Sequence, residues 1–403
     1  AAAAMGAVAY TLLTGAEVPT IRSCIAALLV LVALALGREA LTLRLVAFGA
    51  LIVLLFWPEA LAGPSFQLSF AAVATIVILH ELPLVKRFTE RRDEPTLYRF
   101  ARGVVSLALT GLAIEIILAP IALFHFHKTG LYGAFANVVA IPMTTFVIMP
   151  LEALALALDL VGLGGPFWWL AGQGILAMLA LAHFVSGLPG AVSMMPEMPI
   201  WSYAAFWAGA LLFGLLQTHI RYVGIPIFLI GIAGMILAPR PDILVTGDGK
   251  HLALVAADGK VSLLRGKAGD FVRDMISEKA GSNAAATPIE QWPGARCTTD
   301  NCIISIAAPN RTWTILATRT AYRVPAMEMA AACRRVDIVM SDRWLPQSCR
   351  PKWIKADRRL LEQTGGLAIY LAEQRVITAN ENRAHMPWVQ AAKDAQQNAD
   401  LHQ

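Results

Sequence analysis

The first 239 residues are nearly unbroken apolar sequence cut into helix-length pieces, and that pattern leaves few folds open. A helix that crosses a bilayer needs roughly 20 mostly apolar residues. Segments of this kind run over 1–13, 18–37, 41–57, 65–80, 103–124, 131–149, 166–186, 201–218 and 222–239. In hydrocarbon every backbone polar group must be satisfied within its own segment, so these read as helices. Several are rich in Ala and Gly, which favours close helix–helix packing. Pro120 and Pro142 fall inside segments and predict kinks, or breaks that line a cavity.

A boundary lies near Pro239-Arg240-Pro241. Residues 1–239 carry 11 Lys/Arg and 11 Asp/Glu, whereas 240–403 carry 22 and 17, so the net charge of +5 belongs to the C-terminal part. The expected architecture is a polytopic α-helical membrane bundle (1–239), a soluble basic α/β domain (240–390) and a polar tail (391–403). The basic balance points weakly to an anionic partner or surface. The chain opens on Ala1-Ala2-Ala3-Ala4-Met5 inside an apolar stretch, without the basic segment that starts a signal peptide, and reads as a fragment.

Lys and Arg in short loops set orientation. Lys86, Arg87, Arg91, Arg92, Arg99 and Arg102 make the 81–102 loop cytoplasmic, and Arg38 and Arg44 fall on the same side. The stretch 151–163 is shorter than a span, with Glu152 and Asp159 on one helical face, so it is read as an interfacial amphipathic helix. On that count 222–239 delivers residue 240 outside; a crossing at 151–163 would place the domain in the cytoplasm. Cysteines give a second vote. Cys297, Cys302, Cys333 and Cys349 are all in the soluble part, an even number that fits disulfides in an oxidising compartment. Cys297 with Cys302 would close a small loop, and Cys333 with Cys349 would staple the second half. Free thiols and a four-cysteine zinc site are the alternatives, although these spacings are not those of a zinc ribbon.

Polar groups inside a membrane are expensive, which makes each a functional candidate. Arg22, Gln67 with Ser69, Glu115 and Asn137 are the candidates for a polar path. The structural alternatives are hydrogen bonds of Gln67 and Ser69 to a neighbouring helix, and Asn137 satisfying carbonyls freed by Pro142. Glu115 either pairs, with Arg22 as one partner, or faces water. His125 and His127 fit a two-histidine metal motif or an interfacial pair at a helix end.

Leu13-Thr14-Gly15-Ala16-Glu17-Val18-Pro19-Thr20-Ile21-Arg22, Gly37-Arg38, Pro58 and Phe66-Gln67-Leu68-Ser69-Phe70-Ala71-Ala72-Val73 resemble the ComEC competence-protein family. So do Pro120 to His127, Gly133-Ala-Phe-Ala-Asn137 to Pro142, and Pro150-Leu151. The resemblance implies a bacterial inner-membrane channel that passes single-stranded DNA into the cytoplasm during natural transformation. Implied partners are the bilayer, a DNA receptor and a cytoplasmic helicase. Members commonly carry an OB-like domain ahead of these helices, which this sequence does not include. They also carry a metallo-β-lactamase-like C-terminal domain with a His-x-His-x-Asp-His signature. Here 240–403 holds only His251, His385 and His402, no such cluster, so neither a metal nor a cofactor nor a catalytic residue is assigned.

Read by itself, the soluble part opens with short apolar runs separated by Asp248-Gly249 and Asp258-Gly259, strong hairpin signals. A helix over 268–279 and a loop at 281–287 follow. Strands over 302–307, 312–317, 336–340, 367–371 and 375–379 alternate with helices near 326–335 and 357–363. This is a layered α/β or α+β domain, compatible with a degenerate metallo-β-lactamase-like sandwich. Arg334, Arg335, Arg343, Arg350, Lys352, Arg358 and Arg359, interleaved with Trp344 and Trp353, suit a single nucleic-acid strand without sequence preference. The alternative is a solvated basic loop with core tryptophans. Two other functions compete with the channel. A membrane-tethered metal-dependent nuclease needs the missing ligands, and a small-solute secondary transporter needs inverted repeats that the sequence does not show.

Overall fold

The structure is a computed structural model that describes residues 2–37, 42–90, 95–216, 218–266, 268–320 and 322–381. Arg38, Arg91, Arg92, His385, His402 and the tail 391–403 lie outside the described residues. The chain divides into two compact units, 1–193 with 198–236, and 194–197 with 237–403.

The first unit is helical: α1 (Ala2–Leu13), α2 (Val18–Ala35), α3 (Leu43–Phe56), α4 (Pro64–Glu81), α5 (Pro83–Thr89) and α6 (Thr96–Phe126). After a short strand β1 (Lys128–Gly130) come α7 (Gly133–Met143), α8 (Met149–Asp159) and α9 (Gly165–Ser186). Strand β2 (Val192–Met194), which pairs with β1, precedes α10 (Ile200–Leu215) and α11 (Gly224–Ile236). Among the described residues five helical stretches are long and apolar enough to cross a membrane: Pro64–Glu81, Thr96–Phe126, Gly133–Asp159, Gly165–Ser186 and His219–Ile236. Only 17% of the apolar window of α6 is buried within the protein, so most of that surface needs lipid as its solvent. This is a multi-pass membrane protein.

Pro120 and Pro142 both lie inside helices, so neither ends its helix. Nor does 151–163 form a separate interfacial helix, because α7 and α8 join into one run from Gly133 to Asp159. The join is a π-helical turn, Thr144–Ile148, in which the Met149 amide bonds to the Thr144 carbonyl. Pro150 lacks an amide and clashes with the preceding turn, and one widened turn absorbs both effects without ending the helix.

Glycine controls the tightest helix pair, α10 with α11. A Cβ on Gly209 would stand 2.3 Å from the Phe228 nitrogen, and one on Gly231 would stand 2.5 Å from the Phe206 nitrogen. The backbones therefore touch, and the buried Ser202 hydroxyl donates to the Gly231 carbonyl at 2.6 Å.

The second unit begins with β3 (Ile243–Thr246), β4 (Leu252–Val255), β5 (Val261–Leu263), α12 (Asp270–Ala280) and β6 (Thr287–Pro288). It continues with β7 (Ala295–Cys297), β8 (Asn301–Ala307), β9 (Thr312–Thr318) and α13 (Ala326–Arg335). The last elements are β10 (Ile338–Met340), β11 (Ile354–Ala356), α14 (Arg358–Thr364), β12 (Gly366–Tyr370) and β13 (Arg375–Thr378). One sheet has the order β13-β12-β3-β4-β5-β6 and the other β11-β10-β9-β8-β7. In the second, β9, β10 and β11 run parallel.

Strand alternation builds the layers. Ile243, Leu252, Leu254, Ile315, Ala317, Ile338 and Met340 share the core between the sheets. Their neighbours point the other way: Ala253 and Val255 meet Ile276 and Ala280 of α12, and Leu316 and Val339 meet Met329 and Cys333 of α13. The unit is thus helix, sheet, sheet, helix, an α/β domain. The turns at Gly249 and Gly259 have φ of 66° and 83°, which glycine adopts without strain.

Candidate functional site

Arg22, Gln67 and Ser69 gather at one end of the helical unit. Helix α4 is entered after a proline-bounded 3-10 turn (Pro58–Ala62), which leaves Ser65, Gln67 and Ser69 on its first turns. The guanidinium of Arg22, on α2 and only 8% exposed, donates to the Ser65 hydroxyl. Arg22 and Ser69 also line a pocket of about 380 Å³ whose other walls are mostly apolar residues of α2, α3 and α4, among them Leu29, Val46 and Phe70.

Gln67 is the centre of a second group. Its amide nitrogen donates to the Leu61 carbonyl at 2.9 Å. Its oxygen lies 2.7 Å from Nε2 of His125, in the last turn of α6, and accepts from the Tyr203 hydroxyl, in the first turn of α10. An amide oxygen is only an acceptor, so the contact assigns the proton of His125 to Nε2. Tyr203 stacks on Phe124 with centroids 3.9 Å apart. Both groups sit at the amino end of α4 and the carboxyl end of α6, opposite the α4–α6 connection with Lys86 and Arg87 and the first turns of α6 with Arg99 and Arg102.

Glu115 stands apart from them. Its carboxylate accepts from the Ala134 amide at 2.6 Å and the Gly133 amide at 3.3 Å. Tyr132 offers no side-chain cap to α7, so Glu115 supplies the acceptor that this helix start lacks. The partner of Glu115 is a helix terminus and not Arg22. With 11 residues between Glu115 and the end of α6, α7 starts roughly 16 Å short of that end. Asn137, one turn further along α7, is exposed and makes no side-chain hydrogen bond among the described residues.

In the second unit both cysteine pairs are disulfides, Cys297–Cys302 and Cys333–Cys349. The first joins paired positions of β7 and β8, and the second ties α13 to the loop after β10. Arg334 and Arg335 end α13, and Arg350, Lys352 and Arg359 are exposed. Trp353 packs against the core with its ring 4.7 Å from Trp313, so it is not a surface platform. Trp344 is 72% exposed, with the Arg358 guanidinium carbon 5.6 Å from its ring centre. Arg343 donates to the Tyr322 carbonyl and lies in the same pocket as Trp344 and Arg358.

The carboxylates near the carboxyl ends of the parallel strands are committed. Asp342 pairs with Arg265 at 2.7 Å, and Asp357 caps α14 and faces Lys355 at 3.4 Å. Across from them, Asp248 accepts from Thr246 and from the Lys250 amide at 3.0 Å. Burial holds the His251 imidazole below its ordinary range; the pull of Asp248 is outweighed with Arg265 and Lys250 nearby. Among the described residues no three His, Cys, Asp or Glu side chains are grouped to hold a metal ion.

A family model described as "Competence protein" matches residues 1–219, more than half of the chain. The chain belongs to that family. The match covers the helices that carry Arg22, Gln67, Glu115, His125 and Tyr203. A curated relative, "Uncharacterized protein YcaI" of Escherichia coli (strain K12), is 36% identical over 137 residues, 34% of this chain and 17% of that protein. The chain therefore spans only a small part of that relative's length. No solved structure matches.

Sequence reasoning placed Arg22 and Gln67 as competence-family motif residues but missed their partners. Tyr203 looks like an ordinary aromatic near a helix start, and Ser65 like a helix opener. Only the fold shows that they meet residues 136 and 43 positions away. Arg323, which joins Arg343 and Arg358 at one pocket, was also missed because it lies outside the basic run.

Proposed function

We propose that this competence-family chain is the inner-membrane component that passes single-stranded DNA into the cytoplasm during natural transformation. The observation that carries the reading is the polar collar, Arg22 on Ser65 and Gln67 between His125 and Tyr203, at the bundle end away from the basic loop. A strand with a charged backbone needs hydrogen-bonding groups where it leaves water, and this end of the bundle holds them, here also bonding one helix to the next. Glu115, by contrast, serves the fold, since its acceptor atoms are used by α7.

Orientation follows from the helices. With the basic loop inside, α6 runs outward, the continuous Gly133–Asp159 helix inward, α9 outward, α10 inward and α11 outward. The soluble domain then lies on the periplasmic side, which agrees with its two disulfides. Its helix–sheet–sheet–helix layering supports a metallo-β-lactamase-like ancestry. The residues do not fit a two-metal centre, because Asp342, Asp357 and Asp248 are held by protein cations, hydroxyls or amides. No nuclease step is derived for it, and the domain is read as a guide for the strand.

Deleting the gene in a transformable host and following duplex DNA labelled on each strand tests the proposal. Surface-bound DNA should persist while labelled single strands vanish from the cytoplasm. Undiminished cytoplasmic label would refute it.

A further inference from the structure

Three guanidinium groups from separate parts of the sequence meet at one pocket of the soluble domain. Arg323 follows β9, Arg343 follows β10, and Arg358 opens α14 just after β11. The carboxyl ends of parallel strands are where open α/β sheets leave a ligand crevice. The pocket has a volume of about 490 Å³, and its remaining walls include Met329 of α13 and the loop Trp344-Leu345-Pro346. Pockets for small ligands run from about 300 to 1,000 Å³, so this one suits a single small group and not an extended surface.

The loop is held in place. The disulfide Cys333–Cys349 ties its far end to α13, and the Lys355 ammonium donates to the Leu345 and Pro346 carbonyls at 3.1 Å each. A tryptophan left 72% exposed on a braced loop is a presented aromatic face. Nearby carboxylates offset only part of the charge. Asp342 is shared between Arg265 at 2.7 Å and Arg343 at 3.7 Å, Asp357 faces Lys355 at 3.4 Å, and Glu362 takes one exposed arginine, Arg358, at 2.6 Å. Arg323 makes no hydrogen bond or ion pair among the described residues. The first turn of α13 borders the pocket at Ala326, and no side chain caps that helix.

We propose that this pocket binds one nucleoside phosphate, with the phosphate among Arg323, Arg343 and Arg358 and the base against Trp344. The assignment deepens the DNA-handling reading and rests on it for the source of the ligand. Guanidinium groups suit a phosphate through directed hydrogen bonds, and an aromatic face accepts any base, so the site selects for chemistry and not sequence. The ligand is either a residue of a passing strand or a free nucleotide, and the two are separable by measurement.

The test uses the full chain in nanodiscs, with a labelled oligothymidylate read by anisotropy and thymidine monophosphate as competitor. Trp344→Ala should weaken oligonucleotide binding roughly tenfold, the scale of one base stacked on an aromatic ring. Arg323→Gln with Arg358→Gln should lower the slope of log affinity against log salt by about 0.7, one phosphate contact's worth for a single strand. Arg334→Gln with Arg335→Gln removes the same charge away from the pocket and should leave the affinity within about twofold. Competition by thymidine monophosphate at a concentration close to its own affinity identifies a free-nucleotide pocket, and its failure identifies a strand subsite; either supports the assignment. If pocket and control variants bind the oligonucleotide equally, the pocket is overturned while DNA handling stands. If wild type binds neither probe, the pocket is overturned, and the deletion phenotype judges the uptake reading separately.

Discussion

Glu115 is the membrane residue whose role the structure changes most, and its replacement separates two accounts. As the acceptor for the first amides of α7, it contributes a cap, typically about 1 kcal/mol, and a carboxylate at the positive helix end, about 0.3–1 kcal/mol. Glu115→Ala should therefore destabilise the start of α7 by about 2 kcal/mol. Glu115→Gln keeps one acceptor and should cost about 1 kcal/mol. The assay is amide hydrogen exchange over Gly133–Asn137 in the detergent-solubilised chain. A loss of about 2 kcal/mol corresponds to roughly 30-fold faster exchange, since every 1.4 kcal/mol is about tenfold. Exchange in Glu115→Ala equal to wild type would refute the capping role and return Glu115 to the polar path.

Other outcomes follow from the same geometry. A Cβ at position 231 would stand 2.5 Å from the Phe206 nitrogen, so Gly231→Val forces α10 and α11 apart. A loss of about 1–3 kcal/mol should lower its thermal midpoint in detergent. His251 is held below its ordinary range, so its contribution to stability is complete above the unfolded value of about 6.5 and is lost as pH falls below that. Hydrogen exchange of β3 and β4 should quicken between about pH 7 and 5, and His251→Asn should flatten that dependence. Replacing Cys333 and Cys349 with Ala opens a loop of 16 residues' separation and should cost about 3 kcal/mol, with faster proteolysis at the Trp344–Pro346 loop.

Much of the fold was legible because its signals are local. Alternating runs and the two Asp-Gly turns mark β3, β4 and β5, and the α13 helix matches its sequence reading residue for residue. The short strands β6, β7 and β11 were not legible, since two or three residues carry no period and are strands only through their partners. The separation of 131–149 from 151–163 did not hold because sequence does not show the π turn that carries one helix past Pro150. The candidate site was legible in part. Arg22, Gln67 and Glu115 stand out as polar groups in apolar sequence, but which of them serves a collar and which caps a helix depends on residues far along the chain. The basic run 334–359 mixed true neighbours of the pocket with Trp353, a core residue, and left out Arg323.

The central claim is that the strand passes the collar at Gln67, His125 and Tyr203. Photo-crosslinking during uptake tests it most directly, with a photoreactive amino acid placed at Gln67, at Tyr203, or at the exposed apolar position Leu229 of α11. The account predicts DNA adducts at Gln67 and Tyr203 and none at Leu229. Uptake that proceeds normally with no adduct at either collar position would contradict it.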